Sequence, residues 1–410
     1  MKNSKLQFKI QKLKNIYHLF QAIIANIYYG FPSRRLKVIG VTGTDGKTTT
    51  IHLIYHILKF AGYKASMISS VYAIVGNKEY DTGFHVTTPS SFFIQKMLKT
   101  SVDHEDKYFV LETTSHALDQ NRVWGIRYEI GVITNITHEH LDYHKTYEKY
   151  VMTKVKLLKM ARISIVNKDD ESYKEVKSEK LKVKSYNSKL KSLDKLEDIT
   201  KFNQYNYSAA YTVCKVLGLT DKQILEGMKT FKLPKGRLDV VYDKDFKVII
   251  DFAHTPNAFE NLLPELRKMF LKKEGRLIHV FGSAGLRDVT KRPLMGEVSS
   301  RYSDYIILTE EDYRTEKPEV ICQQIASGIN NKPYKMIINR EQAINKAIGM
   351  AKTGDVVVLT GKAHEKSLCR GKTEVPWDEY EAINKAIKTK IQSSNDKSNP
   401  NIQMTKLFKF

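Results

Sequence analysis

Short apolar runs alternate with amphipathic stretches along most of the chain. The runs at 36–41, 108–111 and 130–134 have the length of buried strands. Between and after them, 48–60 and 146–159 carry apolar residues at helical spacing. A regular alternation of strand and helix is typical of a mostly parallel, doubly wound sheet, so the first half of the chain predicts an α/β domain.

A lysine-rich, weakly apolar segment at 168–201 interrupts this alternation and predicts surface loops and edge strands. A helical pattern resumes at 205–217, and Pro234 with Gly236 then marks a linker. A second alternating block follows, with strands expected at 247–250, 277–281, 305–308 and 356–359 and helices at 256–269 and 341–351.

The pattern therefore predicts two α/β domains and two flanking segments. The expected boundaries are 1–35 for a basic and apolar N-terminal segment, 36–233 for the first domain, 234–388 for the second domain, and 389–410 for a frayed polar tail. No internal repeat is visible in the sequence.

Composition narrows the class of protein. The 410 residues are 41% hydrophobic and 27% charged, which excludes a disordered or collagen-like chain. Lys and Arg number 67 against 45 Asp and Glu, giving a formal charge of +22 that favours nucleotides, nucleic acid or anionic membranes as partners. Three distant cysteines, Cys214, Cys322 and Cys369, fit a reducing compartment, so a cytoplasmic location is expected.

The N-terminal segment is unusually basic. No acidic residue precedes Asp45, whereas eight Lys or Arg residues do, and an apolar, aromatic stretch lies at 17–31. Such a start imitates a signal peptide, but the glycine-rich string GTDGKT follows at 43–48, and its pattern is that of a phosphate-binding loop, which would need cytosolic ATP. We therefore reject the signal-peptide interpretation. Two alternatives stay open: a helix docked on the next domain, which is favoured, and peripheral contact with an anionic membrane.

The strongest chemical signal is the string GTDGKT at 43–48, between a predicted strand and a predicted helix. Glycines let backbone N–H groups surround phosphate oxygens, and the helix N-terminus adds a positive field. Lys47 would neutralise the β- and γ-phosphates, and the Thr48 hydroxyl would bind Mg²⁺. The string predicts an ATP site formed by Gly43, Thr44, Asp45, Gly46, Lys47, Thr48 and Thr49.

Several further strings follow this motif in a characteristic order. They are TTP at 87–89, ETTSHAL at 112–118, NITHEHLD at 135–142, KVKLL at 154–158, FNQYN at 202–206, GR at 236–237, DFAHTP at 251–256 and GKAHE at 361–365. In order and spacing they resemble the Mur ligases, most closely the branch that adds the third residue to UDP-N-acetylmuramoyl-L-alanyl-D-glutamate. The resemblance covers about 36–378.

The resemblance implies a P-loop central domain followed by a Rossmann-like α/β C-terminal domain. It also implies a reaction in which ATP phosphorylates a carboxylate and an amine attacks the acyl phosphate, giving an amide, ADP and phosphate. Metal ions and lysine meet the charge of the transferring phosphoryl group. Lys47, Glu112, His140 and Lys154 are the implied catalytic residues.

The same resemblance implies the metal ligands. Thr48, Glu112 and His140 would bind Mg²⁺, and Lys154 would carry a carbamate that holds a second ion. From the residues alone, an isolated Glu or His is seldom a metal ligand, and Lys154 would be a solvated lysine like its neighbours Lys156 and Lys159.

Substrate-binding residues are also implied by position. The UDP-muramoyl dipeptide would contact Thr87, Thr88, Thr114, Gln120 and Arg122, the adenine side would contact Asn203 and Asn206, and Arg237, Asp251 and His254 would complete the nucleotide site. The incoming amino acid would contact Arg287, Asp312, Arg314, Gly361 and Glu365. Simpler alternatives are a helix cap for the TTP string and a structural role for Arg237.

The acceptor amino acid stays open at this point. Where members that add diaminopimelate have Asp-Asn-Pro-Arg, this chain has Glu-Asp-Tyr-Arg at 311–314. Arg314 would bind the distal carboxylate of diaminopimelate, whereas the added charge of Asp312 would suit the ammonium of lysine.

The predicted enzyme is thus a cytoplasmic, monomeric ligase of peptidoglycan precursor synthesis, a pathway on which the cell wall, cell shape and cell division depend. Only 35 residues precede the first predicted strand, so the family's N-terminal uridine-binding domain of roughly 90 residues is expected to be absent. Competing hypotheses are a folylpolyglutamate synthase-like ligase, a ligase of another carboxylate, a nucleic-acid-binding P-loop protein and a non-catalytic scaffold. No nucleic acid is expected as partner, because the basic excess is spread without the aromatic motifs of such modules.

Overall fold

The computed structural model describes residues 2–83, 88–137, 139, 141–179, 181, 183–190, 192–193, 196 and 199–398. The chain forms two compact units, Met1–Pro234 and Lys235–Phe410, and each has its own hydrophobic core.

The first unit is an eight-stranded sheet with helices on both faces. Its strands are β1 (Lys37–Thr42), β2 (Ala65–Ile68), β3 (Ala73–Val75), β4 (Lys78–Tyr80), β5 (Tyr108–Glu112), β6 (Tyr128–Ile133), β7 (Ala161–Asn167) and β8 (Val183–Tyr186). Its helices are α1 (Lys2–Tyr29), α2 (Lys47–Phe60), α3 (Ser91–Asp103), α4 (Ser115–Asp119), α5 (Leu141–His144), α6 (Tyr147–Met160), α7 (Tyr173–Ser178), α8 (Lys201–Val216) and α9 (Asp221–Lys229), with a 3₁₀ turn at Pro32–Arg35.

The strand order of this sheet is β4-β3-β2-β5-β1-β6-β7-β8. Along this order, every pairing from β2 through β5, β1, β6 and β7 to β8 is parallel, whereas β3 pairs antiparallel with both β2 and β4. The central strands β1 and β5 are mostly apolar and almost fully buried because both faces are covered by helices. In the register of β1 and β5, Val41 lies beside Glu112, so the turn after β1 and the end of β5 share one edge of the sheet.

Helix α1 docks on this unit through small and polar residues. Ala22, Ala25 and Asn26 are fully buried, and the helix packs against α3. Asn26 Nδ2 donates to the carbonyl of Trp124 at 2.8 Å. This is the docked helix that the sequence favours, and none of the helices in the described residues is long and apolar enough to cross a membrane.

The second unit is a six-stranded sheet of order β13-β12-β11-β14-β10-β9 with a separate hairpin, β15-β16. Its strands are β9 (Asp239–Asp243), β10 (Lys247–Asp251), β11 (Leu277–Phe281), β12 (Tyr305–Leu308), β13 (Tyr334–Met336), β14 (Val356–Thr360), β15 (Ser367–Arg370) and β16 (Thr373–Pro376). Its helices are α10 (Pro256–Phe270), α11 (Lys291–Tyr302), α12 (Pro318–Ala326), α13 (Arg340–Met350) and α14 (Glu379–Ser398). Only β9 is antiparallel to its neighbour in the main sheet.

The predicted fold class, two mostly parallel α/β sheets, is confirmed. Within 168–201 the structure has the short helix α7 and the edge strand β8, in line with the expected loops and edge strands. The expected frayed tail is wrong at its start, because α14 continues through 389 to Ser398. Its buried residues Ile383, Ala386 and Ile387 anchor this helix on the core, which the polar sequence after 389 does not reveal.

Candidate active site

The GTDGKT turn lies between β1 and α2. Gly46 caps the helix at φ 78°, a left-handed conformation that favours glycine. A Cβ at Gly46 would lie 2.1 Å from Asn206 Oδ1, so only glycine fits between the turn and α8. Thr48 and Thr49 are buried in the first turn of α2. The turn therefore presents a helix N-terminus of the kind that binds phosphate.

The segment after β6 holds this turn in shape. Asp45 donates its backbone N–H to Asn135 Oδ1 at 2.8 Å, and the Thr134 hydroxyl donates to the Asp45 carbonyl at 2.7 Å. Thr44 Oγ1 accepts from the Thr137 amide at 3.0 Å. These bonds join the turn after β1 to the residues after β6, so residues 134–137 fix the conformation of the phosphate loop.

Glu112, at the end of β5, is buried beside Thr48. The Thr48 hydroxyl lies 3.2 and 3.1 Å from the two Glu112 oxygens, and the Ser70 amide donates to Glu112 Oε2 at 2.9 Å. Oxygen ligands of this kind are those Mg²⁺ prefers. The described residues contain no group of three His, Cys, Asp or Glu side chains that could hold a metal ion. His140 lies outside the described residues.

Lys154 is buried on α6, whereas Lys156 and Lys159 are exposed. Its Nζ donates to the carbonyl of Gly43 at 2.7 Å and lies 4.4 Å from the centre of the Tyr150 ring. Burial, with the nearby charge of Lys47, holds the pKa of Lys154 well below its ordinary value. The alternative that Lys154 is a solvated lysine is therefore wrong, because its amine is buried against the phosphate loop.

Lys47 itself reaches back over the turn. Its Nζ donates to the Thr44 carbonyl at 2.7 Å. On α8, Asn206 Nδ2 donates to Asn203 Oδ1 at 2.9 Å, and the Thr50 hydroxyl lies 3.4 Å from Asn206 Oδ1. The two asparagines thus pack under the phosphate loop.

The predicted muramoyl side of the site lies on the same edge of the sheet. The Thr88 hydroxyl lies 3.0 Å from the Glu112 carbonyl, and the Thr114 amide donates to Thr88 Oγ1 at 2.9 Å. Gln120 lies close to the hydroxyl of Tyr143. Thr87 lies outside the described residues. The cap of α3 is Ser90, which accepts from the Phe93 amide, so the TTP string is not itself the cap.

The Arg122 side chain is mostly buried and binds the protein backbone. Its Nη1 donates to the carbonyl of Thr88 and contacts that of Pro89 at 3.5 Å. Burial lowers the pKa of Arg122. In this structure Arg122 therefore holds the backbone that carries Thr88, which is a positioning role.

In the second unit, Asp251 ends β10 and is buried. Its carboxylate accepts from the amides of Leu238 at 2.8 Å and Ala253 at 2.7 Å. Burial raises the pKa of Asp251, and the nearby Arg237 opposes that rise. The Arg237 guanidinium lies 5.0 Å from the centre of the Phe252 ring. The centre of the His254 ring also lies 5.0 Å from the centre of the Phe252 ring. Sequence-predicted Arg237, Asp251 and His254 are thus neighbours.

The predicted amino-acid side gathers Asp312, Arg314, Gly361 and Glu365, while Arg287 is exposed on the loop after β11. Lys362 Nζ donates to Asp312 Oδ1 at 2.8 Å and to Glu365 Oε2 at 2.5 Å. Lys362 thus shares one positive charge between Asp312 and Glu365, so this cluster keeps a net negative charge and the acceptor stays open on this ground. Arg314 Nη1 donates to the Gly285 carbonyl at 2.7 Å.

Two residues of this cluster were missed by sequence reasoning. Lys362 is fully buried between its two carboxylates, and Glu311 is 7% exposed with Oε2 lacking a hydrogen-bond partner. A Cβ at Gly361, which has φ 101°, would lie 2.9 Å from that oxygen. The signal was present as three consecutive acids, 310–312, directly after a buried strand, but only the fold shows that Glu310 is paired with Arg370 and Asp312 with Lys362.

Comparison with known families defines the class of protein. Residues 41–227 match the Mur ligase middle domain, and residues 236–363 match the family model described as Mur ligase, glutamate ligase domain. The chain therefore belongs to the Mur ligase family. It is an ATP-dependent ligase that forms an amide bond, as the resemblance implied, and membership of this family speaks against the nucleic-acid-binding alternative.

Curated relatives specify the branch. The chain is 37% identical over 398 residues to UDP-N-acetylmuramoyl-L-alanyl-D-glutamate–2,6-diaminopimelate ligase of Clostridium botulinum, covering 90% of this chain and 81% of the relative. It is 42% identical over 369 residues to the ligase of the same name from Aquifex aeolicus, covering 83% and 75%. It is 37% identical over 417 residues to UDP-N-acetylmuramyl-tripeptide synthetase of Borreliella burgdorferi, covering 92% and 82%.

Solved structures show how widely the fold is shared. A UDP-N-acetylmuramoyl-L-alanyl-D-glutamate–2,6-diaminopimelate ligase aligns with TM-score 0.56 and 26% identity, covering 87% of this chain and 79% of that chain. Escherichia coli FolC in complex with DHPP and ADP aligns with TM-score 0.69 and 18% identity, covering 92% and 93%. The second likeness shows the fold alone, so sequence identity rather than shape separates the branches.

Proposed function

We propose that this ligase adds diaminopimelate or lysine to the D-glutamate of UDP-N-acetylmuramoyl-L-alanyl-D-glutamate, in the cytoplasm and as a monomer. The observation that carries the proposal is the convergence of Thr48, Glu112 and Lys154 on one phosphate loop. A carboxylate must be phosphorylated before an amine can attack it, and this convergence supplies the charges that phosphoryl transfer needs.

The phosphate loop is suited to bind the phosphates of ATP. The N-terminus of α2 would direct backbone N–H groups and a positive field towards these phosphates, and the Lys47 ammonium lies over the same turn. Lys47 would exchange its bond to the Thr44 carbonyl for a phosphate oxygen. The Thr48 hydroxyl and the Glu112 carboxylate fit Mg²⁺, which would neutralise the phosphates, and His140 is the proposed third protein ligand.

Lys154 is suited to become a carbamate. Only a neutral amine attacks CO₂, and burial keeps the pKa of Lys154 low, so the neutral form is favoured at ordinary pH. Addition of CO₂ to this neutral amine, with release of one proton, would place an anion close to the loop that holds the phosphates. We propose that this anion serves as a further oxygen ligand for metal.

Among the two acceptors, we favour diaminopimelate. Arg314 supplies a guanidinium at the position that the resemblance implies for the distal carboxylate, a group that diaminopimelate has and lysine lacks. The unpartnered oxygen of Glu311, beneath Gly361, is a receptor for one ammonium group of the acceptor. Relatives named as diaminopimelate ligases support the same choice.

A folate-type ligase is the competing hypothesis that the sequence left open, and FolC shares only its fold with this chain. One assay separates the two. Phosphate release should be measured with ATP and every pairing of UDP-muramoyl dipeptide or a reduced folate with diaminopimelate, lysine or glutamate. We expect turnover only with the muramoyl dipeptide, and faster turnover with diaminopimelate than with lysine.

The control for this assay is a pair of lysine variants on one helix. Lys47→Ala should reduce phosphate release at least about a hundredfold, because it removes the charge that meets the phosphoryl group. Lys59→Ala, whose ammonium bonds to Asn77 at the surface, should leave it unchanged. Turnover with folate and glutamate, or equal rates for the two variants, would refute the proposal.

A further inference from the structure

One face of α1 is apolar and exposed. Its members, which we call the α1 apolar face, are Leu13, Ile16, Tyr17, Phe20, Ile24, Ile27 and Tyr28, each between 51% and 74% exposed. At 3.6 residues per turn they occupy about a third of the helix circumference. Among the described side chains, every other helix exposes at most one large apolar residue. The apolar pattern of α1 therefore has no counterpart elsewhere on the protein surface that the structure describes.

The opposite face of α1 holds the helix in place. Asn15 Nδ2 donates to Asp119 Oδ2 at 3.0 Å, and Gln11 Nε2 donates to the Tyr143 hydroxyl. Together with buried Ala22, Ala25 and Asn26, these contacts run along the described length of the helix. Rotating α1 to bury the apolar face would break them, so the apolar face points away from the unit to which α1 belongs.

Basic residues frame the apolar face. Lys12 and Lys14 lie on its two sides near the N-terminal end and are exposed, and exposed Arg34 and Arg35 follow its C-terminal end. No Asp or Glu occurs before Asp45. Trp124, whose carbonyl receives the Asn26 bond, is 39% exposed beside the helix. Apolar residues edged by cations and by Trp and Tyr are typical of helices that lie in a membrane interface.

We propose that the α1 apolar face binds an anionic membrane surface, with α1 lying in the plane of the interface. The charge selects this occupant over a second copy of the chain, because pairing two such faces would bring two sets of cations together. The shape agrees, since a single convex helix can sink into a fluid headgroup layer without a matching groove. The inference does not depend on the ligase activity.

The test is vesicle binding by the full chain. Large vesicles of phosphatidylcholine with about 30% phosphatidylglycerol should bind the protein at least about tenfold better than pure phosphatidylcholine vesicles, and added salt should weaken the binding. The double variant Phe20→Asp, Ile24→Asp should abolish binding. The triple variant Lys14→Ala, Arg34→Ala, Arg35→Ala should reduce it at least about tenfold.

A matched control is Val320→Asp with Ile391→Asp, which places the same charges at exposed apolar positions of the second unit and should leave vesicle binding unchanged. Circular dichroism together with ADP affinity, measured for all variants, reports whether each is folded. Equal binding to neutral and anionic vesicles, absence of binding, or binding that survives the Phe20→Asp, Ile24→Asp change would overturn the proposal. So would a dimer, seen by light scattering, that only this double variant dissociates.

Discussion

Burial decides the chemistry of single residues in this protein, and Lys154 is the clearest case. Three lysines lie within 154–159, yet only Lys154 is enclosed, with its amine on the Gly43 carbonyl. The pKa of Lys154 is low because burial penalises the ammonium form. A side chain so placed weakens the fold unless a ligand or a covalent change uses it.

Lys154→Met is expected to stabilise the nucleotide-free protein by about 1–3 kcal/mol at pH near 7 while abolishing ligase turnover. Between the lowered pKa of folded Lys154 and its ordinary value of 10.5, the unfolded chain binds a proton that the folded chain does not. Wild-type stability therefore rises with pH across that window, and the gap to the variant should narrow towards pH about 9.5. Urea unfolding of both proteins at the two pH values, in CO₂-depleted buffer, measures this. A gap that widens with pH would contradict the assignment.

Lys154→Ala offers a functional counterpart. If a carbamate at this position supplies oxygen ligands for metal, short-chain carboxylates should restore part of the phosphate release lost in this variant. They would return a pair of carboxylate oxygens to the space left by the lysine side chain. Lys156→Ala, which removes an exposed lysine from the same helix, should need no rescue. Failure of every carboxylate to raise the rate above the unrescued level would argue for a purely structural amine.

Gly46 shows how one hydrogen atom in place of a side chain builds the phosphate loop. Gly46→Ala should weaken ADP binding at least about a hundredfold, because the new Cβ would lie 2.1 Å from Asn206 Oδ1. Gly62→Ala is the matched control: Gly62 has a similar φ of 83°, but nothing lies within 4 Å of its added Cβ. Both variants carry backbone strain, but only Gly46 lies in the phosphate loop, whereas Gly62 follows the other end of α2. Calorimetric titration with ADP should therefore show a loss of affinity for Gly46→Ala alone, and unchanged affinity in that variant would contradict the prediction.

At the scale of elements, buried ion pairs join helices to the sheet of the second unit. Arg340 begins α13 and is fully buried, with bonds to Glu379 of α14 at 2.9 Å and to the Thr360 carbonyl at 3.0 Å. One guanidinium thereby connects two helices and the end of β14. The paired groups cost desolvation, so removing one partner leaves the other charge buried.

Arg340→Met should destabilise the second unit by about 3–5 kcal/mol because Glu379 keeps its charge without its partner. The matched change Lys385→Met removes an exposed pair between the same two helices, Lys385 with Glu341, and should hardly move the unfolding midpoint. Urea unfolding followed by circular dichroism gives both values. Similar midpoints for the two variants would mean that the buried pair contributes no more than the exposed one.

On the scale of the whole molecule, each unit has a separate core and its own sheet. Unfolding is therefore expected in two transitions rather than one. ADP at about a hundredfold over its dissociation constant should raise the free energy of unfolding of the first unit by about 3 kcal/mol. Lys47→Ala should remove that shift, and Arg340→Met should lower only the other transition. Scanning calorimetry measures both transitions. A single transition that shifts both with ADP and with Arg340→Met would contradict the expectation that the two units unfold separately.

Most of the fold was predictable because its signals are local. The run at 36–41 is shifted by one residue from β1, and the run at 48–60 differs from α2 by one residue at its start, since strand and helix periodicity depend on neighbours along the chain. Short elements such as β3, β4 and the hairpin β15-β16 were not foreseen, because three or four residues carry too little pattern. Likewise α14 runs past 389, where Lys390 Nζ donates to the distant carbonyl of Ala351 at 2.7 Å, a contact that composition does not reveal.

By itself the sequence determined the phosphate loop, the order of the motifs, the α/β class and the basic, acid-free N-terminal segment, because these depend on residue types and on spacing along the chain. Only the tertiary structure decided which charged groups are buried and which of them pair with each other. It paired Asp312 with Lys362, left an oxygen of Glu311 without a partner, enclosed Lys154 and turned the apolar face of α1 outwards. The physical reason is that charge compensation and burial depend on residues far apart in sequence, whose distances are fixed only when the strands pair and the helices pack.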